Sequence, residues 1–141
     1  MRNRIVLLSI FLLILILAAC QSQPAVMEET VTVTEGSYIN INAEGLNTMM
    51  KEKDFVLVNV HIPYAGDIPS TDLSIPYNEI TETSYLSQLP EDKDAKIVLY
   101  CRSGRMSQIA SEELVALGYT NVWNFENGMV EWEQAGFKLD Q

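Results

Sequence analysis

Cys101 opens the hexapeptide Cys-Arg-Ser-Gly-Arg-Met, residues 101–106, which sets a thiol beside two cations, Arg102 and Arg105. A free cysteine with a pKa near 8.5 is only a few per cent thiolate at neutral pH, so it needs help to act as a nucleophile. Main-chain N–H groups around Ser103 and Gly104 can turn inward on the sulfur, and a helix starting just beyond them aims the positive end of its dipole at the same spot. Together with the two arginines, these groups favour the ionised thiol and form an anion cradle. The plainer reading, an inert buried cysteine, is the commoner fate of a lone thiol. The place of Cys101 at a strand-to-helix turn argues against it.

The flanking residues predict that turn. Ile97, Val98, Leu99 and Tyr100 form a short apolar run rich in β-formers, which reads as a buried strand. After the loop, Ile109, Ala110, Leu114, Val115 and Leu117 recur at three- and four-residue intervals. That spacing predicts an amphipathic helix, with Ser107 as its cap and Gly118 as its stop. The thiol therefore falls at the carboxyl end of a strand, where open α/β sheets bind ligands.

Here the residues resemble a family. CRSGRMS after a hydrophobic strand, followed by FENGMVEWEQAGF, is similar to the rhodanese (sulfurtransferase) domain, whose active loop reads roughly CRSGxRS and whose closing motif reads roughly GGxxxWxxAG. The resemblance runs from about Tyr38 to Phe137. It implies an α/β fold, a rhodanese-like three-layer sandwich with a mainly parallel central sheet. It also implies sulfurtransferase activity, in which a Cys101 persulfide moves sulfane sulfur from a small sulfur-containing anion such as thiosulfate to a thiol or cyanide acceptor. Cys101 would be catalytic, and Arg102, Ser103, Gly104, Arg105, Met106 and Ser107 would bind substrate. The family's usual segment DVRxxxEYxxGHIPGAxNIP is matched by NVHIPYAGDIPSTDLSIP at 59–76. Its framework of Gly66, Ile68, Pro69, Ile75 and Pro76 is kept, while Asn59 stands for the usual Asp, His61 for the Arg and Asp67 for the His. Met106 stands where an Arg is common.

Three rival chemistries are weighed against this. Cysteine phosphatases and arsenate reductases of related fold carry an arginine six positions after the cysteine, and here that position is Ser107, so a tetrahedral phosphate fits poorly. His61, the only histidine, could act as a base, although a lone His at a strand end is more often structural. One His and one loop Cys lack a zinc ligand set, so neither metal nor cofactor is expected. Rhodanese-like folds also serve as binding or sulfur-carrier modules, which is the alternative to an enzyme.

The start of the chain has its own pattern. Arg2 and Arg4 precede an apolar run from Ile5 to Leu17, and Leu17-Ala18-Ala19-Cys20 follows. The proportions are those of a secretory signal, and the tetrapeptide resembles a bacterial lipobox. The expectation is a signal peptide over 1–19, lipidation of Cys20, a tether over 20–37 and one domain over 38–141. The protein would then sit at the cell envelope, anchored to the membrane and facing outside the cytoplasm. With Cys20 taken by lipid, Cys101 has no disulfide partner. Loss of Arg2 and Arg4, with no acid, takes the net charge from −10 to −12. Nucleic acid is a poor partner for that balance, and a monomer is expected.

Between these points the chain reads as alternating elements: a strand at Tyr38–Ile41, a helix capped by Asn42 through about Met50, and a buried strand at Phe55–Val60. A loop from His61 to Tyr77 follows, in which Asp72–Ile75 could pair as a short strand, then short helical turns over Asn78–Leu89. A strand over Asn121–Phe125 and a helix from Gly128 to Gly136 complete the series. The alternating TVTVT at 30–34 admits a second reading, as an edge strand in place of tether.

Overall fold

Strands and helices alternate along the computed structural model, which describes residues 25–141. The apolar leader and Cys20 lie outside the described residues. In chain order the elements are β1 (Glu28–Val33), β2 (Gly36–Ile41), α1 (Ala43–Met50), β3 (Val56–Asn59), β4 (Leu73–Ser74), α2 (Thr83–Leu86), β5 (Ile97–Tyr100), α3 (Arg105–Ala116), β6 (Val122–Phe125) and α4 (Gly128–Gln134). The strands form one sheet in the order β1-β2-β6-β5-β3-β4. Every pairing is parallel except β1 with β2. The mixed α/β architecture with a mainly parallel sheet is the one expected.

β5 lies in the middle of that sheet, paired with β3 on one side and β6 on the other. Its four residues are 0% exposed, the mark of a strand covered on both faces. Because side chains alternate along a strand, Ile97 and Leu99 enter the core beneath α3, with Ala110, Leu114 and Val115. Val98 and Tyr100 enter the opposite core beneath α1 and α4, with Leu46, Phe125, Met129 and Trp132. Burial of each such side chain contributes about 1.5–3 kcal/mol, so the strand carrying the thiol is anchored from both layers.

Two expectations change. The sheet starts ten residues before Tyr38: Glu28–Val33 pairs antiparallel with Gly36–Ile41 through a turn at Thr34 and Glu35, so the edge-strand reading holds for a stretch assigned to tether. Val31 and Val33 pack on the core while Thr32 faces solvent, which is the alternation a half-buried strand needs. The Asn42 side chain accepts from Gly45 N–H at 2.9 Å as the α1 cap, accepts from Met27 N–H at 3.1 Å and donates to Ala25 O at 2.8 Å. It thereby ties the start of the edge strand to the first helix. Leu117, expected in the core, is 40% exposed. Its place on the buried stripe of α3 is taken by Ser107 and Ser111, polar residues that hydropathy alone assigns to the surface.

Among the described residues no helix is long and apolar enough to cross a membrane.

Candidate active site

Residues 101–104 leave the carboxyl end of β5 and turn at once into α3. Helix α3 begins at Arg105 with Gly104 as its cap, three residues ahead of the expected cap at Ser107. Gly104 adopts φ 91°, and a Cβ built there would stand 1.6 Å from the Glu126 carbonyl oxygen. Only glycine meets both demands. On the other flank, Gly128 at φ 57° would place a Cβ 2.0 Å from the Cys101 carbonyl oxygen. The N–H groups of Met129 and Val130 donate to the carbonyls of Cys101 and Arg102, both at 3.0 Å. The turn from Glu126 to Gly128 thus grips the loop through main-chain contacts, and the closing sequence motif has a physical task there.

The thiol is 1% exposed. Its sulfur accepts from Gly104 N–H at 3.1 Å and from the Ser107 hydroxyl at 3.6 Å. The guanidinium groups of Arg102 and Arg105 are not among its hydrogen-bond partners. Both arginines and Ser103 lie in solvent, and Met106 is half-buried against the core under α3. Arg102 lines a cleft of about 190 Å³ with Ala65, Met129, Glu133, Leu139 and Gln141. The first helical hydrogen bond of α3 is Gln108 N–H to Gly104 O at 2.9 Å, which leaves the N–H groups of Arg105, Met106 and Ser107 as the open positive end of the helix.

The loop after β3 borders this site. Asn59 pairs with Tyr100 across the sheet and Val60 N–H donates to Tyr100 O at 2.9 Å, so His61 comes out beside the start of the active loop. Its pKa is lowered, first by burial and then by the Arg102 cation, so the imidazole stays neutral further into the acid range. The Asn59 side chain donates to Gly66 O at 3.1 Å and to Asp67 Oδ1 at 2.8 Å, and accepts from His61 N–H at 3.0 Å. Asp67 also accepts from the hydroxyls of Tyr100, at 3.1 Å, and Tyr64, at 2.9 Å. The Tyr100 hydroxyl in turn accepts from Ile68 N–H at 3.0 Å, and burial pushes its phenol well above the usual range.

Positions 59 and 67, the two that depart from the usual Asp and His, are therefore in contact. They make a matched donor and acceptor, with the amide on the strand and the carboxylate on the loop. The sequence shows both departures; their pairing becomes visible only when the loop closes.

Comparison with known proteins matches a family model, the rhodanese-like domain, over residues 45–135. The chain belongs to the rhodanese-like domain family. A sulfurtransferase from Allochromatium vinosum is 32% identical to this rhodanese-like chain over 103 residues, which are 70% of this chain and 92% of that protein. A tRNA uridine(34) hydroxylase from Hamiltonella defensa is 30% identical over 112 residues, but the matched part spans only 30% of the hydroxylase. Among solved structures, a rhodanese-related protein from Thermoplasma volcanium superposes with a TM-score of 0.59 at 28% identity, covering 71% of this chain and 95% of that one. A human single-domain sulfurtransferase shares the fold, with a TM-score of 0.58 at 20% identity, over 67% of this chain and 95% of the other.

The site's geometry bears on the phosphatase comparison. The position six residues after the cysteine holds a buried serine whose hydroxyl lies 3.6 Å from the sulfur, where an arginine would be required. Among the described residues no group of three or more His, Cys, Asp and Glu side chains is assembled that could hold a metal ion.

Proposed function

We propose that this domain is a sulfurtransferase that carries sulfane sulfur on Cys101. The observation that carries the reading is the sulfur held at the carboxyl end of β5, accepting from Gly104 N–H at 3.1 Å beneath the open amino end of α3. In the first half-reaction the Cys101 thiolate attacks the outer sulfur of thiosulfate. The S–S bond of the donor breaks, sulfite leaves with its electron pair, and a Cys101 persulfide anion remains. In the second, cyanide or a thiolate takes the outer sulfur and the electron pair of the broken bond returns to Cys101. Thiocyanate or a new persulfide is released. Preorganised N–H groups lower both barriers because they need no reorientation as charge moves, and a covalent intermediate predicts ping-pong kinetics.

A thiol 1% exposed suits a donor that presents one sulfur atom end-on. Arg102, Ser103 and Arg105, exposed just after the thiol, and Met106 would receive the donor, with the two cations attracting an anion toward an otherwise acidic molecule. The leader and Cys20 support placement as a lipid-anchored domain outside the cytoplasm. Substitution of Cys20 by Ala should then move the chain out of the membrane fraction, and persistence there would remove the lipid anchor from this reading.

The test is a mass spectrum after incubation with thiosulfate, followed by cyanide. One added sulfur on Cys101 and steady thiocyanate release are expected, with Cys101→Ser abolishing both. Sulfur uptake without thiocyanate release would make the domain a carrier in place of an enzyme. Absence of uptake, or uptake that survives in Cys101→Ser, overturns the assignment.

A further inference from the structure

We infer that Ser107 is a hydrogen-bond donor that responds to the charge on Cys101, stabilising the thiolate relative to both the thiol and the persulfide. Ser107 is 0% exposed, so no water competes for its hydroxyl. That hydroxyl has one proton and two acceptors within reach, the Gly104 carbonyl at 3.0 Å and the Cys101 sulfur at 3.6 Å. The carbonyl does not depend on it, because Gly104 O already accepts from Gln108 N–H at 2.9 Å. The sulfur has Gly104 N–H as its other donor.

Rotation about the C–O bond moves the proton from one acceptor to the other with no heavy atom displaced. With a neutral thiol, S–H can donate to the Ser107 oxygen while the hydroxyl points at Gly104 O. On ionisation the hydroxyl turns to the sulfur, where an acceptor with full charge makes the stronger bond. Neither arrangement leaves a buried polar group unpaired, which is the condition for a low-cost switch.

The consequence for sulfur transfer rests on the function proposed above. In the persulfide the negative charge sits on the outer sulfur, so the inner sulfur is a weak acceptor and the hydroxyl returns to Gly104. When the acceptor removes the outer sulfur, the electron pair comes back to Cys101 and the hydroxyl meets it. Ser107 thereby makes Cys101 a better leaving group in the second half-reaction, and a slightly poorer nucleophile, once ionised, in the first.

Ser107→Ala tests this, and alanine inside a helix carries no propensity penalty. The thiol of the full chain is titrated by the ultraviolet absorbance of its thiolate, with Cys101→Ala as the blank that subtracts Cys20. Ser107→Ala should raise the apparent pKa by about one pH unit, a tenfold loss of acidity of the size a charged hydrogen bond supplies. Ser107→Thr should keep the wild-type value. Ser111→Ala is the control, since that buried hydroxyl donates to Ser107 O at 2.8 Å and does not contact the sulfur.

With all thiol ionised, single-turnover measurements on Ser107→Ala should show the second half-reaction slowed about tenfold and the first not slowed. An unchanged pKa in Ser107→Ala, an equal rise in Ser111→Ala, or equal slowing of both half-reactions overturns the inference. The titration is readable even if no sulfur moves. A shifted pKa without transfer would therefore sink the proposed function and leave the Ser107 assignment standing, and transfer with an unshifted pKa would do the reverse.

Discussion

The two loops that meet at the carboxyl end of the sheet are held in different ways. The loop after β5 is fixed by main chain: Gly104 lies against Glu126 O, Gly128 lies against Cys101 O, and two amides of α4 hold the carbonyls of Cys101 and Arg102. The loop after β3 is fixed by side chains, through Asn59, Asp67, Tyr64 and Tyr100. A main-chain lock accepts a single residue type, because any Cβ collides whatever its chemistry. A side-chain lock accepts any pair that can still donate and accept across the same gap. The loop bearing the thiol accordingly matches the resembled motif at nearly every position, while its neighbour differs from it at the polar positions.

The difference can be broken most severely at Gly104. Gly104→Ala places a Cβ on the Glu126 carbonyl at a φ that alanine avoids, and should cost on the order of 4 kcal/mol while pulling the amide off the sulfur. Denaturant unfolding together with sulfur uptake measures both effects. A variant of wild-type stability would show that the main-chain lock is soft.

Next in size is Asn59→Asp, which replaces a donor by a second carboxylate facing Asp67 Oδ1 in a position 0% exposed. A loss of about 2 kcal/mol is expected at neutral pH. The loss should shrink as pH falls, because a protonated carboxyl can donate where the amide did. Adding Asp67→His should recover most of it, and a double-mutant cycle reads the coupling. Additive losses would mean that the two positions do not form a matched pair.

The smallest effect belongs to His61. Its pKa is lowered in the folded protein by burial and by Arg102, so the unfolded chain binds the proton more readily. The resulting stability is fully present above the unfolded value of about 6.5 and declines as pH drops from there toward the depressed folded value. His61→Gln should remove that slope from a plot of stability against pH below about 6.5. A slope unchanged by the substitution would assign it to other groups.

The sequence carried the strand Ile97–Tyr100, the candidate nucleophile at its end, the alternation of strands and helices and the stop at Gly118, since each depends on local spacing and residue type. It was less informative where a residue's role is set by a partner far along the chain. Leu117 fits the helical period but is 40% exposed at the end of α3, whereas Ser107 and Ser111 lie on the packed face of the helix, which a hydroxyl tolerates because each finds a carbonyl one turn earlier. The TVTVT stretch has a strand's alternation, but whether it pairs depends on an open edge of β2, and that edge exists only once the sheet is assembled.

Read alone, the chain determined which atom is the candidate nucleophile and which residue types surround it, because those are consequences of local order. Only the tertiary structure decided what points at that sulfur. Gly104 is brought under Glu126 by the packing of parallel strands joined through α3, and Asn59 meets Asp67, eight positions on, only when the loop after β3 closes over the sheet; no local pattern encodes either distance.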